Sequence, residues 1–323
     1  MQPREGQPPA WMEEMDRQAK QAKEKLLERL GAGSMNQRVA AAVLREDVQG
    51  AARLAAQTDD AMAYRLALRA CRKDAQYRAT YAYAASHAVS PASAASGLAI
   101  PELPPPGAQP TACAALTLER MEVLSPDDAS PVLIRLYDAG QRHDDAGVMQ
   151  ALYQLAQRPM KAYGARPLSE VVAEAMGTEP TMGEAALLMM AAGADMGAYL
   201  EGSVSGVVQS CRPPQLDDAN RRQLCEQVAR RLPEVTTELT DARLLHRLEE
   251  VLSLPHSRQS TSSAQLGRAQ EVLGKDGLAW VEEPTCANVS RASMHFAALA
   301  RHGELAYARA RLKEHDAVAA HAR

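Results

Sequence analysis

The chain has 323 residues, a formal net charge of −4 and 4% aromatic residues, with Phe296 its single phenylalanine. Mixed charge near neutrality argues against a nucleic-acid partner, which selects a basic surplus. The longest apolar stretch, Ala185 to Ala194 with Asp195 next to it, falls well short of the ~18 residues of a membrane span.

Alanine-rich, aromatic-poor composition favours close-packed helices over strands. The first ten residues are polar and proline-rich, unlike a secretory leader. They predict a cytoplasmic protein as written, or a periplasmic one if a leader was removed. Trp11 to Leu30 predicts a helix whose Met12, Met15, Ala19, Ala22 and Leu26 form a heptad-like seam. A seam of Met and Ala favours packing on the body of the protein over dimerisation. Residues 36–71 read as two or three short helices, and 74–86 continues the pattern with Tyr77, Tyr81 and Tyr83. Ser90 to Ala112 holds six prolines and reads as a linker or long surface loop. It divides the chain into an N-terminal helical region, 1–89, the segment 90–112, and a helical-hairpin domain, 113–323.

Cys113 to Leu124 predicts a helix. The stretch Leu124 to Pro159 then carries the clearest local signals, those of a helical hairpin. Asp127 and Asp128 follow Pro126 as caps, and Val132, Leu133, Leu136, Tyr137 and Gly140 share one face. Gly140 reads as the stop. Asp144 and Asp145 open a second helix with Val148, Ala151, Leu152 and Leu155 inward, closed by Pro159. So short a connection makes the two helices antiparallel neighbours. Asp-Asp-Ala occurs at Asp59, Asp127, Asp144 and Asp217, and each copy reads as a cap plus a first-turn acid.

Further helices are expected over 169–176, 183–209, 217–232, 241–254, 264–273, 289–301 and 304–320. The methionines Met182, Met189, Met190 and Met196 read as core. His246 near Glu249 and Glu250 reads as a solvated charge pattern and not a ligand set. Ser257 to Ser263 is a polar loop. His143 beside Asp144 and Asp145 reads as a capping environment.

No catalytic motif, cofactor fingerprint or metal-ligand spacing is present. Gly267 to Lys275 misses the phosphate-loop spacing, and Gly202 to Gly206 has Val204 where a nucleophile elbow needs serine. The five cysteines, Cys71, Cys113, Cys211, Cys225 and Cys286, show no Cys-x-x-Cys pair. An odd number leaves at least one thiol free in a monomer. In a reducing compartment all read as buried, inert thiols.

The hairpin resembles a divergent tetratricopeptide unit, with Leu-x-Pro-Asp-Asp-Ala entering its first helix and Val132 or Leu133 where tryptophan is usual. Two Asp-Asp-Ala copies stand 68 residues apart, twice the tetratricopeptide length of about 34. More broadly, Ala51–Arg72 and Cys113–Arg158 resemble a group of Ala-rich bacterial helical proteins. The shared features are Leu66–Cys71, the second cysteine Cys113, and Leu124–Ala129 before a hairpin. The resemblance brings no activity. Many members look exported, which implies disulfides Cys71–Cys113 and Cys211–Cys225, leaving Cys286 free.

The expectation is an all-α protein of stacked antiparallel helical hairpins, an irregular α-solenoid. The expected function is non-catalytic: a helical surface holding a peptide or protein partner, in one version an inhibitor or immunity-type protein. The alternatives are an assembly subunit oligomerising through Trp11–Leu30, and an enzyme with a dispersed site. No cofactor, metal or nucleic acid is expected.

Overall fold

The computed structural model describes residues 10–87, 112–158, 160–161, 166–176, 181–197, 204–282 and 285–321. Its helices are α1 (Ala10–Gly31), α2 (Met35–Leu44), α3 (Val48–Ala56), α4 (Ala61–His87), α5 (Leu118–Leu124), α6 (Ser130–Gln141), α7 (Asp145–Gln157) and α8 (Pro167–Ala175). They continue as α9 (Met182–Gly197), α10 (Ser205–Ser210), α11 (Ala219–Arg231), α12 (Leu239–Val251), α13 (Ser263–Glu282), α14 (Cys286–His302) and α15 (Glu304–His321). The fold is all-α. The one β-type contact among the described residues is an isolated bridge between Asp128 and Lys161.

Several boundaries differ from the sequence expectation. Residues 61–87 form one helix, which joins the last of the short helices expected before residue 71 to the stretch 74–86. Residues 113–115 make a single 3-10 turn, and α5 begins only after the Thr117 cap. The region 183–209 divides into α9 and α10. Helix α13 runs past Gly274 to Glu282, since Gly267 and Gly274 face open space and interrupt nothing. Apart from Ala112, the proline-rich segment lies outside the described residues, as does Pro159.

Two hairpins share one turn. Arg45-Glu46-Asp47 joins α2 to α3, and Arg142-His143-Asp144 joins α6 to α7. Glu46 and His143 take the left-handed conformation, with φ of 61° and 56°. In each, the next N–H reaches back to close the helix end: Asp47 to the Ala42 carbonyl and Asp144 to that of Ala139, both at 2.9 Å. The same aspartates then cap the following helix, accepting from Gly50 N–H at 2.7 Å and from Gly147 N–H at 2.9 Å. A Cβ on Gly147 would stand 2.4 Å from the Asp144 carboxylate, so a larger residue there would push the cap aside.

Three apolar clusters form the interior. The first joins α1–α4 to α8 and α9 through residues such as Leu26, Val39, Ala51, Tyr64, Leu168 and Leu188. Elements on both sides of residues 90–112 therefore share one core. Leu26, Leu27 and Leu30 bury one end of α1; the side chains of Met12, Met15 and Ala19 lie outside the described residues. The second cluster holds α6, α7 and α10–α12 through Leu136, Leu152, Val207, Val228 and Leu245. The third gathers Leu239, Leu266, Leu273, Leu299 and Leu305. Phe296 packs against both the first and the third. The stack is irregular: α1 and α14 both lie on α9, so distant parts of the chain meet.

Each disulfide ties a helix to a neighbouring segment. Cys71 and Cys113 are bonded with their Cα atoms 5.7 Å apart. Beside them the Tyr64 hydroxyl accepts from Thr117 N–H at 2.7 Å, which fixes the same segment to α4. Cys211 and Cys225 are bonded inside the second cluster, their Cα atoms 5.9 Å apart. The 14-residue separation gives roughly 3 kcal/mol in the loop-entropy account. Of five cysteines four are thus paired, so denaturing, non-reducing thiol titration is expected to find one free thiol per chain, that of Cys286. Five free thiols would mean a reduced protein.

The acidic pairs divide their labour. Asp60, Asp144 and Asp218 cap α4, α7 and α11, whereas Asp59 and Asp145 pair with Arg120 and Arg221. The expectation of two simple caps fails at Asp127 and Asp128. Asp127 pairs with Lys161 at 2.7 Å near the surface. Asp128 accepts from Ser130 N–H at 2.9 Å and also forms a buried ion pair with Arg65, the two side chains only 0% and 4% exposed. Removing one partner of a buried pair strips the other of its compensation. Asp128→Ala is therefore expected to cost ~3–5 kcal/mol in urea unfolding. Asp127→Ala is expected to cost under ~1 kcal/mol. Equal losses would contradict this assignment.

Candidate functional site

One groove combines an apolar floor with exposed hydrophobic rims. Its near wall is a single face of α4, where Leu66, Arg69, Ala70, Lys73, Asp74 and Tyr77 recur at helical spacing. The end of α2 contributes Val43 and the start of α3 Val48; the far wall is Pro167 and Leu168 of α8 with Met190 and Ala194 of α9. The volume is about 560 Å³. Tyr77 is 60% exposed and Met190 50%, so both stand as rims and not as core. The core reading of the methionines thus fails at Met190, because Leu187, Leu188 and Ala191 occupy the inward face of α9. The side chains of Tyr81, Tyr83, Met182 and Met196 lie outside the described residues.

At the end of the groove, Asp195 of α9 holds the start of α8. Its carboxylate accepts from the N–H groups of Leu168 and Ser169 at 3.2 and 2.8 Å, and from the Ser169 hydroxyl at 2.7 Å. Pro167 and Leu168 form the first turn of α8, so Asp195 supplies from another helix the cap that Arg166 cannot. Burial pushes the Asp195 carboxyl above its ordinary value, opposed by Arg69 and by these donors.

Two other depressions are more polar. A cleft of about 680 Å³ lies over the Cys71–Cys113 bridge and is crossed by the Arg72–Asp138 ion pair at 2.8 Å. A cleft of about 490 Å³ on the α2–α3 hairpin carries Arg38, Arg45 and Arg53. A second perturbed carboxyl lies elsewhere, where α8, α12 and α15 begin. Arg166 donates to Glu238 through Nε at 3.2 Å and Nη2 at 2.8 Å, and its Nη2 stands 3.8 Å from Glu304. Leu239 N–H donates to Glu304 at 3.1 Å. Burial, opposed by Arg166 and aided by Glu304, pushes Glu238 up to about 7.

Of the cysteines expected to pair, Cys71 and Cys113 border the polar cleft, while Cys211 and Cys225 are buried away from all three depressions. His143 makes the α6–α7 turn. The reading of His246, Glu249 and Glu250 as a solvated pattern needs correction. Beyond the end of α12 the chain turns back and stacks His256 on His246, with ring centroids 4.0 Å apart. No family model, curated protein or solved structure matches this chain.

The Glu238 shift gives a signed pH effect. Its folded value, about 7, lies above the ordinary 4.5, so the folded state holds this proton more tightly than the unfolded chain. The associated stability is complete below about 4.5 and is lost as pH rises to about 7. Glu238→Gln carries no titrating proton at this position. Urea unfolding of both proteins across this range should show the wild type losing stability relative to the variant as pH rises. A constant difference would assign the pH dependence to other groups.

Proposed function

We propose that this protein is a non-catalytic helical binding protein whose α4–α8–α9 groove holds a segment of a peptide or protein partner. The observation that carries the reading is the pairing of exposed Tyr77 and Met190 across an apolar floor. Large apolar side chains exposed at a concave surface gain free energy when a partner buries them and offer anchors of the kind that dominate interfaces. Arg69 and Lys73 on one wall, with Glu46 and Asp74 nearby, supply polar groups that set register. The twin turns at 45–47 and 142–144 support kinship with tetratricopeptide-like hairpins, whose stacked helices present such surfaces. An inhibitor or immunity-type protein is the specific form of this reading: one partner, neutralised by occupation of the groove.

The test is site-specific photo-crosslinking in cells, with the photoreactive residue at Tyr77 and, as control, at Tyr153, which is 59% exposed on α7. A discrete adduct from position 77 alone is expected, lost in Met190→Asp. Against the isolated partner, Tyr77→Ala should weaken binding about 30-fold, the equivalent of a ~2 kcal/mol anchor. Equal adducts from both positions, or binding indifferent to both substitutions, would reject the groove.

A further inference from the structure

Helix α12 ends in a left-handed turn of the same kind as the two hairpins. Ser253 has φ of 55°, and Leu254 N–H reaches the Glu249 carbonyl at 2.8 Å. No helix follows directly. Instead residues 254–257 double back along the last turn of α12. His246 and Glu250, four apart on one face of α12, have Nε2 and Oε1 3.5 Å from each other. His256 comes over them from the returning strand of chain. Together the three offer ligand atoms within 4.8 Å of one another.

What sets this cluster apart from a chance surface grouping is the residue behind it. Glu249 is 2% exposed. One of its oxygens accepts Ser257 N–H at 3.1 Å, and the other faces His256 Nδ1 at 3.2 Å. A carboxylate only accepts, so it places the proton on Nδ1 and leaves the Nε2 lone pair of His256 for another partner. A buried carboxylate behind an imidazole is the arrangement that orients histidine ligands in metal sites. The location adds to it, since the C-terminal end of a helix carries partial negative charge and favours a cation.

We propose that His246, Glu250 and His256 form a binding site for a first-row divalent transition metal, with zinc the best fit, and that Glu249 is its positioning residue. Two imidazoles and one carboxylate are a recognised zinc donor set, whereas calcium and magnesium take oxygen ligands. Bonds of about 2.0–2.1 Å in a tetrahedron bring ligand atoms to about 3.3 Å apart, so the cluster, now within 4.8 Å, needs to close by up to ~1.5 Å. His256 and Glu250, 48% and 59% exposed, can make that movement by side-chain rotation alone. The fourth position faces solvent. The ion would fasten the 252–257 turn to α12, acting as a staple. The site shares no residue with the groove and stands whether or not that reading does.

The experiment uses the untagged full-length protein, stripped with chelator, then titrated with zinc against a chromophoric competitor and with cobalt monitored by visible absorption. One equivalent of each metal is expected, cobalt with nitrogen–oxygen ligand-field bands and no thiolate charge-transfer band. His256→Gln and Glu250→Gln alter exposed side chains and should abolish stoichiometric binding while leaving circular dichroism unchanged. Glu249→Gln should keep the stoichiometry and weaken binding ~10–100-fold. Zinc should raise the melting temperature of the wild type and not that of His256→Gln. No binding at one equivalent, binding indifferent to His256→Gln and Glu250→Gln, or a thiolate band reporting Cys286 as ligand would each overturn the proposal.

Discussion

Arg166 precedes α8 and reaches into a space from which water is excluded, where it meets Glu238 and Glu304. Glu238 stands immediately before α12, and Glu304 is the first residue of α15. Three helix N-termini therefore converge on one buried point. Each brings the positive end of its backbone dipole and N–H groups without helical partners. Two carboxylates offset that accumulation, and the guanidinium offsets the carboxylates. The three apolar clusters are distinct, with Phe296 packing against the first and the third, and buried ion pairs lie where they meet. How they sit against one another depends on this junction and on the Arg65–Asp128 pair between α4 and the entry to α6.

The junction is also coupled to the groove by sequence adjacency. Pro167 and Leu168, which form part of the far wall, follow Arg166 directly. Asp195, which caps their backbone, lies close enough to raise the charged form of Arg166. A partner pressing on the first turn of α8 would therefore press on the contact between cores.

Local signals in the chain were legible, and tertiary ones were not. The α6–α7 hairpin follows from the spacing of Val132, Leu136, Val148 and Leu152 and from Asp144, all of which act over a turn or two of helix. The all-α class follows from composition. Helix α6 ends one residue beyond Gly140, whereas α13 outruns its expected end at 273 because a glycine on an open helix face costs too little to end a helix. Asp74 is tolerated inside α4 because a short polar side chain costs little in a helix where it reaches a partly open face. Arg65 and Asp128 are 63 positions apart and nothing local marks them as partners. His256 lies ten positions beyond His246, across Pro255, and only the left-handed Ser253 brings the rings together. Met190 departs from the core because a helix buries only one face, and on α9 Leu187, Leu188 and Ala191 occupy it.

The alanine interior has a consequence for temperature. Ala40, Ala41, Ala51, Ala52, Ala55, Ala63 and Ala67 are all essentially buried, in a region where other proteins would place leucine or phenylalanine. Alanine gives up no rotamer freedom on folding, so little side-chain entropy opposes its burial. It also hides little hydrocarbon. Heat capacity on unfolding rises by about 0.45 cal/mol/K for each Å² of apolar surface exposed. At these alanine positions the increment per residue is small, and a small increment weakens the curvature of free energy with temperature. The contribution of this helix-packed region to the stability curve is therefore broad: it gives up its margin slowly on warming and keeps most of it in the cold.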